Sequence, residues 1–231
     1  MRSMVIVGLA AALGLTSCSS TPVQVALDPS LATGEAYVVK GLTNRHWGKP
    51  LSFGPFATRE TRVGETWTWT AGAFDLGAGV RGKPFRFVFV GEHGEEWSVE
   101  CRSKTPILAS SNDSGSWSIP IGETRLGCAI RGAGDEVRSL AVGGSAFDIR
   151  GQARFGGQTI EIRSLHEVPG KDGKDHRIPF VLGYELRQGD RVLGGVDLIG
   201  KGRVVMAQNL EADLRGPVAV TATVLMFFGQ G

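Results

Sequence analysis

The chain has 231 residues, with 25 Lys and Arg against 23 Asp and Glu and a formal net charge of +2 at pH 7. The two signs are interspersed, so no basic arm or face of the kind a phosphate backbone demands is set up, and nucleic acid is not an expected partner. With 42% hydrophobic residues the chain can bury a sizeable core in one domain. Its 34 glycines and 10 prolines are spread between short apolar runs, the punctuation of many turns between strands.

Residues 1–17 read as an export signal. One positive charge, Arg2, precedes an apolar and small-residue run from Met4 to Leu15. That run is about a dozen residues, whereas crossing a bilayer takes roughly 20. It ends in Leu15-Thr16-Ser17-Cys18, which resembles the bacterial lipobox. The resemblance implies acylation of Cys18 through its sulfur, cleavage ahead of it, and retention on a membrane by several acyl chains, which hold far more firmly than one. An ordinary secretory signal with a chance cysteine is the competing reading. Ser19 in place of Asp implies, by similarity to Gram-negative lipoprotein sorting, the outer membrane, facing the periplasm or the cell surface. Residues 18–33 then form a polar tether and residues 34–231 a single β-rich domain.

Period-two stretches dominate that domain. Ala36 to Lys40 opens it, and Glu65 to Thr70 places threonines on one face and Trp67 and Trp69 on the other. Phe85, Phe87 and Phe89 share a face in the same way. Such aromatic stripes suit a half-buried pleated surface and are expected to be core. Cys101 and Cys128 each fall in a strand-like stretch. Once Cys18 is set aside they are an even pair in an exported chain, which favours a disulfide over two buried thiols. Further on, Thr159 to Leu165, Ile178 to Leu186, Arg191 to Leu198 and Arg203 to Gln208 alternate. Their Gly-containing links, such as Gln188-Gly189-Asp190, signal hairpins. The expected class is mainly β, an antiparallel barrel or closed sandwich.

The C-terminal segment breaks the pattern. After Asp213, a candidate N-cap, Val218 to Phe228 carries no charge. A helix apolar on all sides must be buried on all sides, and this one is too short to span a bilayer. Valines and threonines favour a strand, so both forms stay open. As a helix, its natural place is inside the antiparallel sheet. Trp97 ahead of Cys101, the Leu126-Gly127-Cys128 strand, the run of hairpins and this terminal segment together resemble the Tubby C-terminal-like barrels, in which a ring of strands encloses such a helix. The resemblance spans roughly residues 35–228. Tubby domains bind phosphoinositides through basic residues that have no match here, so that activity is not implied.

No catalytic or cofactor set emerges. Gly143-Gly144-Ser145-Ala146-Phe147 lacks the last glycine of a nucleophile elbow, and His166-Glu167 is followed by Val168-Pro169-Gly170 where a zinc protease needs a second histidine. His166, Asp172, Asp175 and His176 share one loop region and are the candidate cation ligands, against a solvated turn balanced by Lys171, Lys174 and Arg177. His93 reads as a polar hairpin tip. Asn44-Arg45-His46-Trp47 is either a recognition loop or a Trp folded back on the core. The expectation is a non-enzymatic lipoprotein with no cofactor, held to a membrane by its anchor and contacting an envelope protein. The alternatives are a barrel that binds a lipid or other apolar molecule, and a hydrolase.

Overall fold

The computed structural model describes residues 24–42, 49–73, 76–112, 115–132, 136, 138–145, 147–170 and 172–229. In chain order the strands are β1 (Glu35–Val38), β2 (Ser52–Phe53), β3 (Phe56–Val63), β4 (Trp67–Ala73), β5 (Leu76–Val90), β6 (Glu96–Asn112), β7 (Gly115–Pro120) and β8 (Thr124–Arg131). They continue with β9 (Arg138–Ser145), β10 (Asp148–Phe155), β11 (Gln158–Leu165), β12 (Glu167–Pro169), β13 (Asp175–Arg177), β14 (Gly183–Gln188), β15 (Arg191–Asp197) and β16 (Arg203–Met206), and the chain ends in helix α1 (Ala212–Gly229).

Twelve strands form one antiparallel path, β1-β16-β15-β14-β11-β10-β9-β8-β6-β5-β3-β2. Its ends meet where Lys40, just past β1, and Ser52 of β2 exchange backbone hydrogen bonds of 2.8 and 3.1 Å. The sheet is thus a nearly closed barrel, with this one bridge as its seam. Alternation builds the wall: Leu126, Cys128 and Ile130 of β8 are buried and the residues between them face out. Phe85, Phe87 and Phe89 point inward as expected. Cys101 and Cys128 lie directly opposite each other on β6 and β8, 4.1 Å apart at Cα, and are joined as a disulfide.

Helix α1 fills the barrel. Residues 216–227 are all buried, and Phe227 packs against Phe87 and Phe85 at ring distances of 5.1 and 5.8 Å. Gly216 passes so close to Trp97 that an added Cβ would lie 2.8 Å from its ring. The choice of helix over strand follows from this setting. Inside an apolar barrel a lone strand would leave both rows of backbone groups unpaired, whereas a helix satisfies its own. The helix begins at Ala212, two residues earlier than an N-cap at Asp213 would set it, so Asp213 sits in the first turn, where it accepts a 2.7 Å bond from Gln158.

Four further expectations are corrected. The strand expected over Ile178–Leu186 starts only at Gly183, and the 169–175 link is not a plain hairpin turn but the tip of a separate two-stranded arm, β12–β13. Part of the segment read as tether packs on the barrel: Val25 and Leu31 are buried, and the Val25 amide donates to Asp197 Oδ2 at 3.3 Å. Trp67 and Trp69, expected in the core, are exposed. The reason lies in the lengths of β5 and β6. Their outer halves leave the barrel wall and pair instead with β4 and β7, making a four-stranded wing beyond the rim. All the described strands and the helix fall within residues 24–229 around one principal core, so a chain starting at Ser19 keeps every described element.

Candidate functional site

The proposed lipidation site Cys18 and the Asn44–Trp47 segment lie outside the described residues. The four candidate cation ligands do not converge. His166 is buried at the root of the β12–β13 arm, where Nδ1 donates to the Phe180 carbonyl at 2.8 Å and Nε2 meets Ser164 Oγ at 2.9 Å. His176 pairs with Asp172 at 3.2 Å on the exposed arm, and Asp175 precedes it on the opposite face of β13. Among the described residues no group of three metal-ligating side chains comes together.

Sequence reasoning missed the Ser164–His166 contact, in which i, i+2 spacing puts the two side chains on one face where β11 passes into β12. The contact is closed upon itself. A carbonyl can only accept, so His166 carries its proton on Nδ1 and Nε2 accepts from the Ser164 hydroxyl. That hydroxyl in turn accepts the Ile149 amide at 2.9 Å. A serine nucleophile needs a base beside it and open space in front; here every partner is structural, tying the arm and the Phe180 loop to β10.

The two ends of the barrel differ sharply. At one end α1 begins. Arg215 in its first turns makes paired 3.1 Å bonds to Glu35 and a 2.8 Å bond to Glu92, with Tyr37 hydroxyl at 3.3 Å. The Arg215 guanidinium, helped by the Tyr37 hydroxyl, holds the Glu35 carboxyl below its ordinary range. This cluster pins the helix to the wall and to the β5–β6 turn.

The other end carries the wing and the apolar surface. Strand polarity places the ends of β1, β9, β11 and β15 and the starts of β8, β10, β14 and β16 at this rim. The eight exposed large hydrophobics among the described residues lie on the wing or at this rim: Trp67, Trp69, Trp117, Ile119, Ile121, Phe147, Phe180 and Val38, which ends β1. Trp69 is 63% exposed and Phe180 65%. On the wing they share one face, because register sets Trp69 beside Val80 and Pro106, and Ala71 beside Ala78, Leu108 and Ile119. Trp67 lies flat over Gly82, whose missing side chain makes the room: a Cβ there would fall 2.3 Å from the indole.

Below the wing the same outer face turns basic. Trp67, Gly82, Lys104 and Arg125 form one cross-strand row, and Arg86 and Arg102 lie in the rows beneath. A depression of about 930 Å³ there is bordered by Arg62, Arg86, Glu100 and Arg102 over a floor that includes Gly127 and Ala129. The nearest acids face other arginines, with Glu100 at 3.7 Å from Arg131 and Glu123 at 3.5 Å from Arg125. Inside the rim a smaller hollow of about 430 Å³ ends on Phe227 and Phe228, with Lys83 and Tyr184 in its wall; burial lowers the Lys83 pKa and raises that of the Tyr184 phenol. The described chain also begins at this rim, with Val25 against Gly183 and Asp197.

Among the described residues no helix is long and apolar enough to cross a membrane. Comparison with protein-family models, with curated proteins and with solved structures gave no match.

Proposed function

We propose that this protein is a lipid-anchored component of the bacterial cell envelope whose β domain works by surface contact, without turnover and without a ligand inside the barrel. The observation that carries the reading is α1. A barrel that stores an apolar ligand needs an empty interior, and here Val218, Val220, Ala222, Val224, Leu225 and Met226 are fully buried in that space. The lipobox supplies the address: Cys18 holds the domain to the outer membrane, where an envelope protein is its expected partner.

Replacing Cys18 with Ser abolishes palmitate labelling and releases the protein from the membrane fraction; persistent labelling would sink the anchor assignment. A substrate panel on residues 19–231 tests the rest. Turnover that disappears on Ser164→Ala would convert the domain into a hydrolase and end the contact reading.

A second reading draws on the hollow at the rim, which could seat one small apolar molecule on Phe227 and Phe228. Titration with a fluorescent short-chain acyl probe distinguishes it, since saturable binding weakened by Phe228→Ser requires that site.

A further inference from the structure

We infer that the wing is a second membrane contact: its outer face lies in the headgroup region of an anionic bilayer, on the leaflet that holds the acyl anchor. The lipid-anchor reading enters only in the choice of leaflet; the contact itself stands on the following geometry.

The apolar surface is polarised. Exposed Trp, Ile and Phe side chains crowd the wing-bearing end, while the opposite end presents the Glu35–Arg215–Glu92 cluster and the polar β5–β6 turn. An apolar patch of that kind on a soluble face marks a contact surface. Tryptophan above a band of Lys and Arg is the residue order of a membrane interface, with rings at the headgroup level and bases against lipid phosphates. Trp69 and Trp117 stand above Lys104, Arg102 and Arg86, and Trp67 shares the row of Lys104 and stands above the two arginines. Those three bases have no ion pair among the described residues, so their charge is free to face an anionic surface.

Reach agrees. The wing stands about 23 Å from Lys83 to Leu76 at roughly 3.3 Å per strand residue. Cys18 is six residues ahead of Gln24, which starts the described chain at the same rim, and an extended link of that length spans about 20 Å. An acyl group at Cys18 and the wing can therefore meet one leaflet together.

The test uses residues 19–231, which carry no acyl group, with vesicles of phosphatidylglycerol and phosphatidylethanolamine and with neutral phosphatidylcholine vesicles. Wild type sediments with the anionic vesicles and its tryptophan emission shifts to the blue. The Trp69→Ser/Trp117→Ser pair binds at least about ten-fold more weakly. Arg102→Gln/Lys104→Gln loses about 25-fold, near five-fold per basic charge, and wild-type binding weakens with added salt. All four side chains are exposed or project outward, so unchanged melting temperatures verify the fold. Absence of binding to anionic vesicles, or equal binding by both variants, would overturn the inference. So would a wild-type dimer that the tryptophan pair dissolves, since the face would then belong to a second copy. If binding persists while palmitate labelling of Cys18 fails, only the anchor assignment falls.

Discussion

Opening the Cys101–Cys128 bridge tests how the wall is held. The two residues are 27 apart in sequence and directly opposed on β6 and β8. On the chain-entropy account, closing a loop of that length restricts the unfolded ensemble by about 3.5 kcal/mol at 25 °C. Reduction alone should cost that amount, because the two thiols still fill the same buried volume. The Cys101→Ala/Cys128→Ala protein loses the sulfur packing as well, about 1 kcal/mol more by analogy with small core deletions. For a chain of this size each kcal/mol moves the melting temperature by about 2–4 °C, so reduction should lower it by about 7–14 °C. Urea titrations of oxidised, reduced and Ala/Ala proteins, read by Trp97 emission and far-UV circular dichroism, measure both quantities. The slope against urea should rise on reduction, since an unlinked unfolded chain exposes more surface. A difference under about 1 kcal/mol between oxidised and reduced protein, or two free thiols in mass mapping of the native chain, would refute the reasoning.

Two other predictions probe α1. Thr221 is fully buried and its hydroxyl has no partner among the described residues, whereas Thr223 returns its own to the Ala219 carbonyl at 2.9 Å. Thr221→Val, equal in shape, should therefore stabilise by about 1 kcal/mol in urea titration, and a loss would mean that the hydroxyl has a partner such as a buried water. Arg215→Met removes the clamp on the helix start. The acids left behind are partly exposed and regain water, so the cost is about 1–2 kcal/mol. Its pH signature is more specific. Glu35 has a folded pKa below its unfolded one, so its contribution is present above the ordinary carboxylate range and is lost as pH falls through the folded value. The acid limb of a stability–pH curve should flatten in Arg215→Met, and an unchanged limb would show that the clamp is not the source.

The predominance of antiparallel strands was legible because alternation reports one buried face: β8 and the Phe85–Phe89 stretch of β5 read from sequence as they fold. The disulfide was legible for a similar reason, as two cysteines in strand-like stretches of an exported chain. The wing was not. Thr-Trp-Thr-Trp alternation shows that the tryptophans share a face, but not whether anything covers it. That depends on whether the neighbouring strand closes the barrel or runs past its rim, and a local pattern carries no record of its partner's length. The candidate ligands failed for the same reason: nearness in sequence set His166 beside His176, while the fold seats its ring between the Ser164 hydroxyl and the Phe180 carbonyl.

By itself, then, the sequence determined the class of the domain, the resemblance of its first residues to a lipobox and the uncharged, apolar character of its last segment, because composition and period act locally. Tertiary structure decided that this segment is a helix. Only a surrounding ring of strands removes water from every side, and under that condition the backbone must bond to itself. It also decided that the exposed large apolar side chains among the described residues gather at one end, where two strands outrun the barrel and the described chain begins.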